Sequence, residues 1–142
     1  MTAQLEWTGQ GLHFLVRPES GHELVFDSPV EVGGTDQAAR PMEGLLASML
    51  ACFSADVVSI LQKKRKTVRT FRVQAQAERR EEFPRVFTAV TLHLRVESPD
   101  ATPADVERSI ELSRTKYCSA MAMFEAAGCR IHITYELNPS GT

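Results

Sequence analysis

The chain has 142 residues, a formal net charge of −2 and 24% charged residues, which fits one domain burying about two-thirds of the surface its unfolded chain would expose. A balance this close to neutral gives no electrostatic ground for a nucleic-acid or membrane partner. Three cysteines, in a chain whose start lacks a charged region, an apolar run and a small-residue cleavage site, argue against a disulfide framework, and the cytoplasm is the expected compartment.

In chain order, residues 12–17 and 22–26 are β-rich runs separated by Pro18, Glu19, Ser20 and Gly21, a turn-forming cluster, and they read as a hairpin. A short piece at residues 29–32 follows, and Gly33 and Gly34 then break regularity ahead of a polar loop. Residues 41–62 form one long helix, with Pro41 at its first position and Lys63, Lys64, Arg65 and Lys66 at its negative end. Phe71, Val73, Ala75 and Ala77 alternate with polar residues, as do Val90, Leu92, Leu94 and Val96, so these are two strands of a second hairpin. Thr102, Pro103 and Asp105 start a second helix that turns Val106, Ile110 and Leu112 or Ser113 toward the core. The pattern falters around Lys116, Tyr117 and Cys118, resumes as a short helix over residues 120–127, and stops at Gly128. A last strand carries Cys129, Ile131, Ile133, Tyr135 and Leu137 on one face. The order predicts a single α+β domain over residues 1–142 with antiparallel pairing.

The long helix is apolar nearly all round between Leu45 and Phe53, so it needs cover on two sides. One layer of sheet and two short helices do not supply that cover, and a homodimer burying this helix is expected. A membrane span is not expected: the apolar run from Leu45 to Leu61 falls short of the roughly 20 residues a span needs, and it carries Asp56.

Cys52 and Cys118 stand in no local C-x-x-C or zinc-ligand spacing, which leaves burial and thiol chemistry both open. Cys52 lies almost three turns from the start of its helix, beyond the reach of the helix dipole, and Asp56 one turn later disfavours a thiolate. Cys118 stands beside Lys116 and just before a helix, so local physics makes it the better thiolate. Cys129 shares the parity of the core-facing residues of its strand and reads as structural. The basic tetrad has no interleaved aromatics and reads as a solvated helix end, and His13, His22, His93 and His132 have no ligand spacing, so neither nucleic acid nor metal is expected. Phosphate loops, nucleophile elbows and dinucleotide fingerprints are absent from the sequence, and no cofactor is expected.

Pro41-Met42-Glu43-Gly44-Leu45-Leu46-Ala47 leading to Ala51-Cys52, continued by Asp56-Val57-Val58-Ser59-Ile60-Leu61, resembles the central helix of the OsmC and organic hydroperoxide resistance (Ohr) proteins. Tyr117-Cys118-Ser119-Ala120 is similar to that family's second cysteine segment, and Ser28-Pro29 with Gly33-Gly34 to the approach to its helix. The resemblance spans nearly the whole chain and points to a divergent, YhfA-like branch. It implies antiparallel sheets wrapped around a long central helix in an intertwined homodimer, and a thiol-dependent reduction of organic hydroperoxides. By resemblance, Cys52 is the peroxidatic thiol, Cys118 resolves it as a disulfide, and a lipoyl- or thioredoxin-like dithiol restores the pair. Met49, Phe53 and Met121 become walls of a substrate pocket, each with plain core as the competing role. The glutamate that catalytic members carry ahead of the first cysteine falls at Met42, and Glu43 is a supporting carboxylate displaced by one residue, about 100° around the helix. The arginine those members carry in the first hairpin falls near Gln10 or Gly11. The alternative is a noncatalytic protein of the same fold that binds a small molecule and keeps its cysteines for structure.

Overall fold

A computed structural model describes residues 1–140 and divides the chain into two compact units, residues 1–48 and the remainder from residue 49, the boundary falling inside the long helix. In the first unit, β1 (Ala3–Trp7), β2 (Phe14–Pro18) and β3 (Leu24–Phe26) form an antiparallel sheet in that order. The hairpin of β2 and β3 matches the sequence expectation; β1 is an additional strand. Its alternation lacks a buried anchor, since all five of its residues are exposed. The register sets Leu5 opposite Val16, Trp7 opposite Phe14, and Phe14 and Val16 opposite Phe26 and Leu24, so six apolar side chains share one face. Leu5, Trp7 and Leu24 leave part of that face open in the single chain, at 62%, 57% and 49% exposed, while Phe14, Val16 and Phe26 are half-buried.

The loop after β3 is built around Asp27, which is buried. Its carboxylate accepts the N–H groups of Ser28 at 2.7 Å, Thr35 at 3.1 Å and Gln37 at 3.2 Å, together with the Thr35 hydroxyl. Burial alone would raise its pKa, but these donors outweigh it and hold the carboxyl well below the usual carboxylate range. The loop closes so tightly that a Cβ at Gly34 would lie 1.8 Å from the Ser28 carbonyl oxygen.

The long helix, α1, runs Pro41–Lys63, one residue beyond the expected end. Gly44 faces the Phe26 ring, where a Cβ would come within 2.3 Å of it, so glycine at this point allows the first turn to sit against β3.

In the second unit, β4 (Thr70–Arg79) and β5 (Phe87–Glu97) pair antiparallel, as their alternation predicts. A bulge near Thr88 shifts the phase, so Phe87 is buried on the same side as Val90 and stacks on Phe124 with ring centroids 5.3 Å apart. Helix α2 (Pro103–Leu112) begins with a capping box in which Thr102 and Asp105 bond reciprocally. A π turn at Ser113–Tyr117 follows, then α3 (Ser119–Ala126) and β6 (Arg130–Leu137).

Two expectations are corrected here. β6 pairs with β5 in parallel, not antiparallel, because the chain leaves β5 and returns through a helical crossover of α2, the π turn and α3 rather than through a hairpin. On α2 the fully buried positions are Val106 and Ser109, with Ser113 following in the π turn, whereas Ile110 and Leu112 are only half-buried.

Helix α1 presents Met49, Phe53, Val57 and Leu61 to the core of this unit, one side chain per turn and none with measurable exposure. Burying side chains of this size stabilises the fold by roughly 1.5–3 kcal/mol each. At 23 residues α1 is long and apolar enough to cross a membrane by length and composition, which corrects the shorter count made from its apolar run, although the core helix of a soluble protein passes the same test. Its other faces are less covered: Leu45 is 49% exposed, and Leu46, Leu50 and Val58 are half-buried. The basic residues after α1 are used locally, Lys64 and Lys66 reaching Asp105 at 3.7 and 3.6 Å.

Candidate functional site

Two of the three cysteines meet. Cys52 is half-buried on α1, and Cys118 is buried at the N-cap of α3, near enough for Cys52 to act on its thiol. Both are free thiols. The Cys118 backbone N–H donates to the Ser113 carbonyl at 2.8 Å, which closes the π turn, and its sulfur accepts the Met121 N–H at 3.3 Å. A π turn inserts one residue into a helical path and often marks a functional position. Here it brings the chain from α2 to the mouth of α3 with the cysteine turned inward.

Asp56, one turn after Cys52, is half-buried, and its Oδ2 accepts the Ser113 hydroxyl at 2.8 Å. Ser113 is fully buried, with its hydroxyl 3.5 Å from the Phe53 carbonyl as well. The cluster is therefore two thiols, one carboxylate and one hydroxyl, drawn from α1 and from the turn between α2 and α3.

The electrostatics reverse the local expectation for Cys118. Burial pushes its thiol up to about 11; the Met121 N–H opposes this, while Cys52 and Asp56 reinforce it. Helix N-terminus and neighbouring lysine do not win, because the sulfur is enclosed and Lys116 lies 5.2 Å over the Tyr117 ring. Cys118 is held as a thiol here.

Cys129 is buried just before the last strand, as its parity predicts, with its own neighbours Glu125 and Arg130; burial again pushes the thiol up. Met49, Phe53 and Met121 have no exposed surface and belong to the core of the second unit. Glu43 is exposed, and its carboxylate accepts the Arg40 N–H at 2.8 Å, the reach-back half of a capping box at the start of α1. Ser113 was legible in the sequence only as a core-facing candidate, and Asp56 only as an unfavourable charge. The spacing that joins them to the cysteines, one helical turn after Cys52 and one π turn before Cys118, is visible in the sequence but has no meaning until the two segments pack together.

Comparison with known proteins agrees with this architecture. A family model described as OsmC-like protein matches residues 34–134. Protein YhfA of Escherichia coli (strain K12) is 42% identical over 135 residues, covering 95% of each chain. Among solved structures, a protein from Aquifex aeolicus is 27% identical with a TM-score of 0.82, over 96% of this chain and 95% of that one. An organic hydroperoxide resistance protein from Elizabethkingia anophelis, 20% identical over 97% of each chain, shares the fold with a TM-score of 0.65. The chain belongs to the OsmC-like protein family, in its YhfA-like branch.

Proposed function

We propose that the protein is a cysteine-dependent peroxidase that reduces organic hydroperoxides through Cys52 and Cys118. The observation that carries this reading is the meeting of the two free thiols, one half-exposed and one enclosed, in a fold shared with organic hydroperoxide resistance proteins. The Cys52 thiolate attacks the distal peroxide oxygen, the O–O bond breaks, and the alcohol leaves with a proton while Cys52 becomes a sulfenic acid. Cys118 then displaces the hydroxyl as water and forms the disulfide. A lipoyl- or thioredoxin-like dithiol, in the cytoplasm, restores both thiols by exchange. Met49, Phe53 and Met121 form the apolar floor behind the pair, and the Glu43 carboxylate caps the first turn of α1.

The assembly proposed is a homodimer. The open apolar face of the first sheet and the partly covered faces of α1 support it, since contiguous exposed apolar surface of this kind marks an interface. The test of function is steady-state turnover of cumene hydroperoxide with a dithiol reductant. Turnover should be abolished in Cys52→Ser, and Cys118→Ser should accumulate the sulfenic acid; turnover indifferent to Cys52→Ser removes the proposal.

A second reading, a noncatalytic binding protein of the same fold, is favoured by one observation. Met42 occupies the place where the resemblance implies a glutamate, and the carboxylate of Glu43 is engaged by the Arg40 backbone. Absence of peroxide turnover, combined with a thermal shift on adding a small apolar or thiol-bearing ligand, would establish that reading instead.

A further inference from the structure

The π turn that leads to Cys118 is anchored at its two ends. Of residues 113–118 only the first and the last are buried; Arg114, Thr115, Lys116 and Tyr117 are exposed. The two buried ends are joined to each other, the Cys118 N–H donating to the Ser113 carbonyl at 2.8 Å. Ser113 is joined in turn to α1: its hydroxyl donates to Asp56 Oδ2 at 2.8 Å and lies 3.5 Å from the Phe53 carbonyl. Phe53 follows Cys52 directly, and Asp56 stands one helical turn after Cys52 on the same side of the helix. The other side chains of the turn bond away from α1: Thr115 to the Glu111 carbonyl, Arg114 to the Ile131 carbonyl and Glu125, and Lys116 to the Tyr117 ring. Among the described residues, Ser113 is therefore the side chain through which this turn hydrogen-bonds to the helix of Cys52.

We propose that the Ser113–Asp56 hydrogen bond is a tether that fixes the Cys118 segment on α1 and so sets how readily Cys52 and Cys118 join as a disulfide. A disulfide demands closely defined backbone positions, with Cα atoms about 4.4–6.8 Å apart. A turn freed from α1 samples positions outside that range, and forming the bond then costs the ordering that the tether supplies in advance. The step is a two-electron oxidation: each thiol gives up its proton, the sulfurs join, and the electron pair passes to the oxidant. In the proposed peroxidase cycle the oxidant is the hydroperoxide, acting through the Cys52 sulfenic acid, whose hydroxyl leaves as water with the Cys118 proton. Ser113 and Asp56 are positioning residues, acting on the sulfurs through the placement of their segments. The place of this step in turnover rests on the peroxidase proposal; the tether does not.

The test is the equilibrium between dithiol and disulfide forms of the full chain in mixtures of reduced and oxidised dithiothreitol. Free thiols are counted by mass spectrometry after acid quenching and alkylation. Cys129→Ala is the common parent, which leaves Cys52 and Cys118 as the two thiols. Ser113→Ala should lower the disulfide constant about tenfold, the size of one hydrogen bond to a charged group. Asp56→Ala should lower it as much, and the double variant should lose no more than either single one. Asp56→Asn keeps an acceptor for the hydroxyl and should stay within about threefold of the parent. A merely structural role would weaken the dithiol and disulfide folds alike and leave the constant unmoved. The proposal is overturned by a Ser113→Ala constant within about twofold of the parent, or by additive losses in the double variant. A fall in Asp56→Asn equal to that in Asp56→Ala overturns it too, as does a parent that forms no disulfide. If Ser113→Ala fails to fold, as judged by circular dichroism, Asp56→Ala against Asp56→Asn carries the comparison. Cumene hydroperoxide turnover by the unmodified chain is measured separately: a lowered constant without turnover keeps the tether and removes the peroxidase, and turnover with unmoved constants does the reverse.

Discussion

Phe53 decides whether the apolar residues beside Cys52 are core or a yielding pocket wall. The side chain is fully buried, follows Cys52 directly, and has its carbonyl 3.5 Å from the Ser113 hydroxyl. Truncation to alanine removes a ring whose burial takes about 150–250 Å² out of water, and at about 25 cal/mol per Å² the loss is roughly 4 kcal/mol, within the range measured for such substitutions in packed cores. Set against a typical total of about 5–15 kcal/mol, this is a large fraction of the fold's stability. Phe53→Leu, which refills most of the space, should cost under about 1.5 kcal/mol. The measurement is urea unfolding followed by circular dichroism at fixed protein concentration, because any assembly would make stability depend on concentration. The midpoint should fall in the order wild type, Phe53→Leu, Phe53→Ala with an unchanged slope. A loss below about 1 kcal/mol for Phe53→Ala would refute the core assignment and return Phe53 to the role of a pocket wall that already tolerates empty space.

Three further outcomes are expected. Thr102→Ala removes the hydroxyl that accepts the Asp105 N–H at 3.2 Å in the capping box and should destabilise by about 1 kcal/mol, read in the same urea experiment. Gly34→Ala would place a Cβ 1.8 Å from the Ser28 carbonyl oxygen, a clash only a backbone shift can relieve, and should cost at least about 2 kcal/mol and perturb the amide resonances of Thr35 and Gln37. The Cys118 thiol is raised from 9.0 to about 11, so the native state keeps a proton that the unfolded chain releases. That contribution is complete below about pH 9 and is lost as pH rises toward about 11. Wild type should therefore lose stability relative to Cys118→Ser across this alkaline window, and a pH-independent difference between the two would contradict the enclosed thiol.

Most elements were legible because their signals are local. Alternation at Phe71 to Ala77 and Val90 to Val96 identifies β4 and β5 directly, and the Thr102, Pro103, Asp105 start of α2 is a capping box in the structure. β1 escaped because five exposed residues carry no buried period. The bulge near Thr88 could not be read from alternation, since it breaks the period on which the reading rests and brings Phe87 back to the buried side.

By itself, the sequence determined the long apolar helix, the two cysteine segments, the β-rich runs and the family resemblance, because propensity, periodicity and caps act over a few neighbouring residues. Only the tertiary structure decided that β6 runs parallel to β5, that Glu43 caps its own helix, and that Cys118 is a thiol. The physical reason is the same for the parallel strand and the protonated thiol. Strand direction depends on the path of the crossover, and a thiol's proton depends on enclosure and on charges brought from elsewhere in the chain. Lys116 is near Cys118 in sequence, but after folding it is burial, reinforced by Cys52 and Asp56 from the distant α1, that acts on the sulfur.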